Sequence, residues 1–178
     1  MRQKMKILTK ICGLFAVVLT GCATPSLPPI NTVTSVDLPR FMGDWFVIAS
    51  IPTSIEKEAY NAIENYKLNK DGSIATTFTF NKGALDGEAK KYQPKGFVVP
   101  NTGNALWGMQ FIWPIKAEYK IAYLDQNYQT TVIARTARDY VWIMARKPHL
   151  DAAEYKKLND YVAGLGYDMT KLRLVPQK

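Results

Sequence analysis

The chain has 178 residues, 23 Lys and Arg against 15 Asp and Glu, a net charge of +8 and two cysteines. Four of the basic residues and no acidic ones precede residue 22, so a chain cut there keeps 157 residues and a net charge of +4. That length suits one domain with a sizeable core, and so mild a charge gives no argument for nucleic acid.

The first element is a leader. Basic Arg2, Lys4, Lys6 and Lys10 precede an apolar run over 11–19 and the small-residue site Leu19-Thr20-Gly21-Cys22, the build of a secretory signal. The apolar run is about half of the ~20 residues that a spanning helix needs. Leu-Thr-Gly-Cys resembles the lipobox of bacterial lipoproteins. The resemblance implies that residues 1–21 are removed, that the Cys22 thiol carries diacylglycerol, and that the new amine is acylated. The alternative is a cysteine that merely falls near an ordinary cleavage site. Buried acyl chains, at about 0.8 kcal/mol per methylene, would anchor the chain without a spanning segment. With Cys12 lost in the leader and Cys22 lipidated, the folded part keeps no disulfide, no catalytic thiol and no soft metal site.

Residues 22–36 hold Pro25, Pro28 and Pro29 and show no helix or strand periodicity. They read as a semi-extended tether of about 3.1 Å per residue, and the domain proper as 37–178. Asp37, with Ser35, is placed to cap a helical turn over 38–42 before Gly43.

From Gly43 onward the chain is a succession of strand-like runs: 45–51, 60–68, 74–80, 89–99, 105–113, 117–124, 128–136 and 140–145. The first is apolar on both parities and the third alternates with β-branched and aromatic residues. Asp71-Gly72 is a hairpin signal, and Pro94 with Gly96 splits the fourth run into two short strands with a bend. Eight strands with short connections predict an all-β, up-and-down antiparallel arrangement. Closure into a barrel removes the exposed edges of so long a meander. One helix follows, capped by Asp151 with Glu154 three residues on. Its stripe of Tyr155, Leu158, Val162 and Leu165 suits packing outside the barrel, and Gly166 stops it. Residues 171–175 predict a ninth, edge strand.

Three separated motifs stand in this frame: Gly43-Asp44-Trp45 opening the first strand, Leu124-Asp125-Gln126-Asn127-Tyr128 between the sixth and seventh, and Asp139-Tyr140-Val141-Trp142-Ile143-Met144-Ala145-Arg146 ending the eighth. Together they resemble the lipocalins, in particular the bacterial outer-membrane lipocalins related to apolipoprotein D, over roughly 37–175. The resemblance implies an eight-stranded up-and-down antiparallel β-barrel with one C-terminal α-helix packed outside. It also implies that Trp45 lies across a closed end with the Arg146 guanidinium stacked on its indole, and Gly43 lets the backbone turn tightly into the strand. These three residues form a structural plug. Asp125 is expected to cap amides in its turn.

With Trp45 inward, strand parity puts Val47, Ala49 and Ile51 on the cavity face. With Arg146 reaching the same plug, Trp142 and Met144 point inward on the last strand. Phe78 and Phe80, Trp107, Phe111 and Trp113, and Tyr119 and Tyr123 are further wall candidates. Each depends on register, since a one-residue slip inverts a strand, and for each the plain alternative is barrel packing. The ligand-binding set expected here is Trp142, Met144, Val47, Ala49, Phe78, Phe80 and Tyr119. Eight strands leave room for one small ligand, and an apolar pocket suits acyl chains.

No nucleophile motif, metal-ligand cluster or phosphate loop stands out, and no cofactor is expected. The only histidine, His149, reads as a helix-entry residue. Glu56, Lys57 and Glu58 in the first long loop either meet a polar headgroup or keep a lid soluble. The leading expectation is a non-enzymatic, membrane-anchored lipocalin that binds, stores or transports a lipophilic molecule in the bacterial envelope. The resemblance suggests a fatty acid or lysophospholipid. It also suggests the outer membrane, facing the periplasm, which Ala23 after the lipidated cysteine fits. Two alternatives stay open: a catalytic lipocalin drawing on a buried ionisable group such as Glu118 or Arg135, and a structural lipoprotein whose barrel is filled with side chains. A haem carrier is disfavoured by the position of His149. The oligomeric state is left open.

Overall fold

A computed structural model describes residues 27–178; the leader, Cys22 and the start of the stretch after it lie outside these residues. A helical turn, α1 (Leu38–Phe41), leads into β1 (Gly43–Ile51), β2 (Ala59–Leu68), β3 (Ile74–Lys82), β4 (Glu88–Tyr92), β5 (Lys95–Val98), β6 (Leu106–Ile112), β7 (Ile115–Leu124), β8 (Thr130–Ala134) and β9 (Val141–Ala145). Helix α2 (Ala152–Gly164) and a short β10 (Arg173–Leu174) complete the chain. From β1 to β9 each strand pairs antiparallel with the next along the chain, β4 with β5 excepted, and β1 returns to pair with β9. Both β4 and β5 pair with β3 and are halves of one strand broken at Gln93-Pro94, where proline withholds an amide from the ladder. The result is the eight-stranded closed antiparallel barrel with an outer C-terminal helix.

The strands divide the apolar side chains into two cores. The interior one gathers Phe41, Trp45, Val47, Tyr66, Phe78, Phe80, Trp107, Tyr119, Ile121 and Met144. The outer one lies under α2, whose buried Leu158 and Val162 meet Val132, Ala134 and Ile143. The Asp151 carboxylate accepts from Glu154 N at 2.8 Å at the start of this helix, and Gly166 at φ +83° follows its end.

The register shifts by one residue in β1, β2, β6 and β7, and the bulges in β1 and β7 change the faces of expected wall residues. Val47 pairs with Met144 but Ala49 with Ile143, so residue 48 is extra in β1. In β7, Ile121 pairs with Ile133 but Tyr123 with Val132, so residue 122 is extra. Ala49 and Ile51 therefore lie in the outer core, and Tyr123 packs against Tyr161 of α2. The expectation that these three face the barrel interior is corrected. Strict alternation fails where the strand gains a residue.

The stretch read as a free tether is also corrected within the described residues. Ile30 and Val36 are buried, Val33 N donates to Ile121 O at 2.9 Å and Val36 N to Gly103 O at 2.8 Å. Arg138 donates to Pro28 O. Pro28 thus sits by the β8–β9 loop at one end of the barrel, and Val36 by the β5–β6 loop at the other. The C-terminal segment closes a seam: β1 pairs with β2 only from Gly43 to Phe46, beyond which β10 pairs with Ala49 and Ser50. Arg173 Nη2 donates to Glu56 O and Ala59 O at 2.7 and 3.0 Å across this gap.

One end is plugged. Trp45, fully buried, donates Nε1–H to Phe41 O at 2.9 Å. The Arg146 guanidinium lies 3.8 Å from the Trp45 ring centre. It donates to Asp44 O, Arg40 O, Phe41 O and Met42 O at 2.7–3.0 Å. Gly43, at φ +93°, sits beneath it, a conformation that a side chain would strain. Trp45→Ala empties this site and is expected to lower stability by about 3–5 kcal/mol, read as a fall in unfolding midpoint in a denaturant titration.

Candidate functional site

Above the plug, aromatic rings fill the lower half of the barrel. Phe41 packs on Trp45 with ring centres 5.0 Å apart. Trp107 stacks on Tyr119 at 5.1 Å, and Tyr66 meets both edge-on. Val47 and Met144 pack in the same interior core. These side chains form a floor, and the free space lies between it and the far end.

The cavity above the floor is bounded by Phe78, Met109, Phe111, Ala117, Tyr119 and Trp142, with Pro94 at the strand break. Of the expected ligand-binding residues, Phe78, Tyr119 and Trp142 line it, while Val47, Met144 and Phe80 belong to the surrounding interior packing. Phe80 stacks instead on Tyr92 at 6.1 Å. The space is a slot of about 70 Å³, a few water volumes. It is far below the several hundred Å³ of a pocket that encloses a whole drug-sized ligand. A long chain would enter only in part, or with movement at the mouth.

Polar groups are placed at two levels. At the mouth, Glu56 turns inward from the β1–β2 loop. Its carboxylate accepts from Thr53 N and Oγ1 at 2.8 and 2.7 Å and from Trp142 Nε1 at 3.1 Å. Both oxygens are thus in use, and the loop is pinned to the ring that walls the cavity. Glu118 likewise accepts from Thr136 N and Oγ1 at 2.6 and 3.0 Å. Partial burial pushes its pKa up, but the Thr136 donors and Lys120 outweigh this and hold it below its ordinary value. Arg135 pairs with Asp139 at 3.2 Å. Of the two ionisable groups weighed for catalysis, Glu118 has both oxygens occupied by Thr136, and Arg135 is paired through Nη1 while its buried Nε has no partner among the described residues.

At the floor stands Glu64 of β2, opposite Phe78 of β3. The Tyr66 hydroxyl donates to one of its oxygens, and the Tyr119 hydroxyl lies 2.6 Å from that of Tyr66. A relay Tyr119→Tyr66→Glu64 follows, since Tyr66 has only one proton to give. Burial pushes the Glu64 carboxyl from an ordinary 4.5 up to about 7; the Tyr66 hydrogen bond works against this, and the Glu56 charge adds to it. Burial also raises both tyrosines well above their usual range. Glu64 was missed in the sequence because 60–68 carries apolar residues on both parities, and only the register with β3 settles which face Glu64 takes.

A barrel plugged at one end, with an apolar-walled slot opening at the other, is a container for a small hydrophobic molecule. Residues 36–177 match the family of the Lipocalin-like domain, and the chain belongs to the lipocalins. It is 30% identical to temperature-induced lipocalin-1 of Arabidopsis thaliana over 160 residues, 83% of each chain. It is 27% identical to the outer membrane lipoprotein Blc of Citrobacter freundii over 177 residues, 97% of this chain and 98% of that one. Among solved structures, a cockroach allergen, Per a 4, superposes with a TM-score of 0.63 at 20% identity, covering 83% of this chain and 92% of its own; this likeness concerns the fold. Family membership supports binding and transport of small hydrophobic ligands, and lipocalins are in general not enzymes.

The raised Glu64 pKa makes a signed prediction. The folded state holds this proton more tightly than the unfolded chain does. Its stabilising contribution is complete below about pH 4.5 and is lost as pH rises through about 7, at most about 3 kcal/mol. Wild type should therefore melt at progressively lower temperature from pH 5 to pH 8 relative to Glu64→Gln. Parallel melting curves for the two proteins would contradict the assignment.

Proposed function

We propose that this protein is a lipid-anchored carrier of a bacterial cell envelope that takes up a lipophilic molecule, of the fatty acid or lysophospholipid class, through a mouth facing the membrane. The observation that carries the reading is the gathering of three features at one end of the barrel. The cavity opens there. The β6–β7 hairpin there exposes Phe111, Ile112, Trp113 and Ile115, with Ile112 72% and Trp113 83% accessible. The chain also enters the described residues there, with Pro28 held by Arg138.

Aromatic and aliphatic side chains on a protruding tip, followed by Lys116, suit the boundary between acyl chains and headgroups. From a lipidated Cys22 to Leu27 the chain spans at most about 18 Å, so an anchor would keep the mouth near the bilayer. The outer membrane lipoproteins among the relatives support the same location, and the Leu19-Thr20-Gly21-Cys22 box supports the anchor. Burial of methylenes would supply most of the affinity, at about 0.8 kcal/mol each. A narrow, aromatic-filled interior also favours a second reading, a structural lipoprotein that carries nothing.

Mass spectrometry of lipids co-purifying with the mildly extracted protein separates these readings. A near-stoichiometric acyl lipid is expected. Its repeated absence, with no tryptophan fluorescence response to added fatty acid, would favour the structural alternative. Trp142→Ala is expected to weaken fatty acid binding about tenfold or more while leaving the plug intact. For the membrane-facing mouth, the double variant Ile112→Ser with Trp113→Ser should reduce co-sedimentation of the unlipidated protein with anionic vesicles. Unchanged sedimentation would turn the mouth away from the bilayer.

A further inference from the structure

We infer that the cavity floor is a recognition subsite for a hydrogen-bond-donating group, an alcohol or amine, on the end of the lipophilic ligand that enters the barrel. The inference rests on the carrier reading of the cavity and narrows its ligand, away from a free fatty acid and toward a lipid that carries an alcohol or amine.

Two groups carry it. Glu64 has one oxygen taken by the Tyr66 hydroxyl, and no donor among the described residues reaches the other. Thr76, 3% exposed on the neighbouring strand and opposite Tyr66, has a buried hydroxyl with no hydrogen-bond partner among the described residues. Both residues line the slot. The Thr76 hydroxyl, which can donate or accept, is costly there unless something satisfies it, while the second Glu64 oxygen, open to the cavity, accepts only when the carboxyl is ionised. The contrast with the mouth is informative, because Glu56 and Glu118 line the same cavity with both oxygens used by protein donors.

The sign of the site follows from its lining. Three carboxylates, Glu56, Glu64 and Glu118, face one cation, Arg135, which stands at the mouth beyond β8, pairs with Asp139 through Nη1 and keeps a buried Nε without a partner among the described residues. A ligand that leads with a carboxylate meets like charge at the floor. One that leads with a methyl group leaves the Glu64 oxygen and the Thr76 hydroxyl without a partner. A hydroxyl gives one hydrogen bond, and an ammonium adds charge to it. The tyrosine relay holds the Glu64 side chain in place, since its other oxygen is committed to Tyr66. Specificity of this kind comes from a buried polar group that only the correct ligand satisfies.

The test is calorimetric titration of the folded domain at pH 7.5 with three probes of one chain length: octylamine, octanol and octanoate. Octylamine is expected to bind at least about tenfold more tightly than octanoate, with octanol between them. Glu64→Gln should shrink the octylamine-to-octanoate ratio to about threefold or less. Thr76→Val, which removes this hydroxyl without touching the relay, should weaken octanol binding about threefold. Circular dichroism checks that both variants fold. Octanoate binding as tightly as octylamine, or a ratio that Glu64→Gln leaves unchanged, overturns the subsite while the carrier reading stands. Binding of none of the three probes overturns the carrier reading, and the subsite with it.

Discussion

The stacking of Arg146 on Trp45 is the contact on which the remaining arrangement depends. A guanidinium taken partly out of water is expensive unless its protons find partners. Here four carbonyls around the α1 turn accept them, while the indole lies 3.8 Å below. The last residues of β9, the first of β1 and the helical turn before it are thereby fixed as one unit. That unit joins the two ends of the meander where the barrel closes on itself. It also makes the barrel asymmetric: with one end sealed by charge and ring, any space inside has to open at the other.

Above that seal the interior changes character in a short distance. The lower rings, Trp45, Phe41 and Trp107, spend their two indole N–H groups on backbone carbonyls, Phe41 O and Asn104 O, and add nothing polar to the space above. Tyr66 and Tyr119 turn their hydroxyls to each other and to Glu64, so the layer that ends the packed region is polar on its upper side. An apolar residue in place of Glu64 would avoid the burial of a carboxyl. Buried polar networks of this sort add less to stability than to the uniqueness of an arrangement, and here the arrangement is the shape and chemistry of a cavity floor.

Much of this was legible in the sequence, for identifiable reasons. Runs of β-branched and aromatic residues at short spacing gave the eight strands, Pro94 gave the break between β4 and β5, and Asp151 with Gly166 framed α2. The plug was legible because Gly43, Trp45 and Arg146 belong to motifs that keep their spacing. Parity was legible only as far as the pleat stays regular. It carried correctly from Trp45 to Val47 and failed at Ala49, because nothing in Val47-Ile48-Ala49 marks the extra residue. It failed again between Ile121 and Tyr123. Glu64 was hidden by the same limit: in Ala62-Ile63-Glu64-Asn65-Tyr66, either face makes a plausible interior until the partner strand is known.

The proline-rich stretch shows how a local reading and a tertiary one differ. Pro28 and Pro29 do prevent regular structure, but Ile30, Val33 and Val36 recur every third residue, a spacing that keeps them on one side of an extended chain. Packed against the barrel, this segment runs from the mouth, where Arg138 holds Pro28, to the plug, where Val36 meets Gly103. Strand β1 starts at the plugged end, so a chain that hung free before α1 would leave the barrel there and point the mouth away from any upstream attachment. The packed segment reverses that geometry. An attachment before Leu27 would therefore lie at the open end, beside the Phe111–Ile115 tip, and the direction in which the cavity faced would be set by about ten residues outside the barrel rather than by the barrel itself.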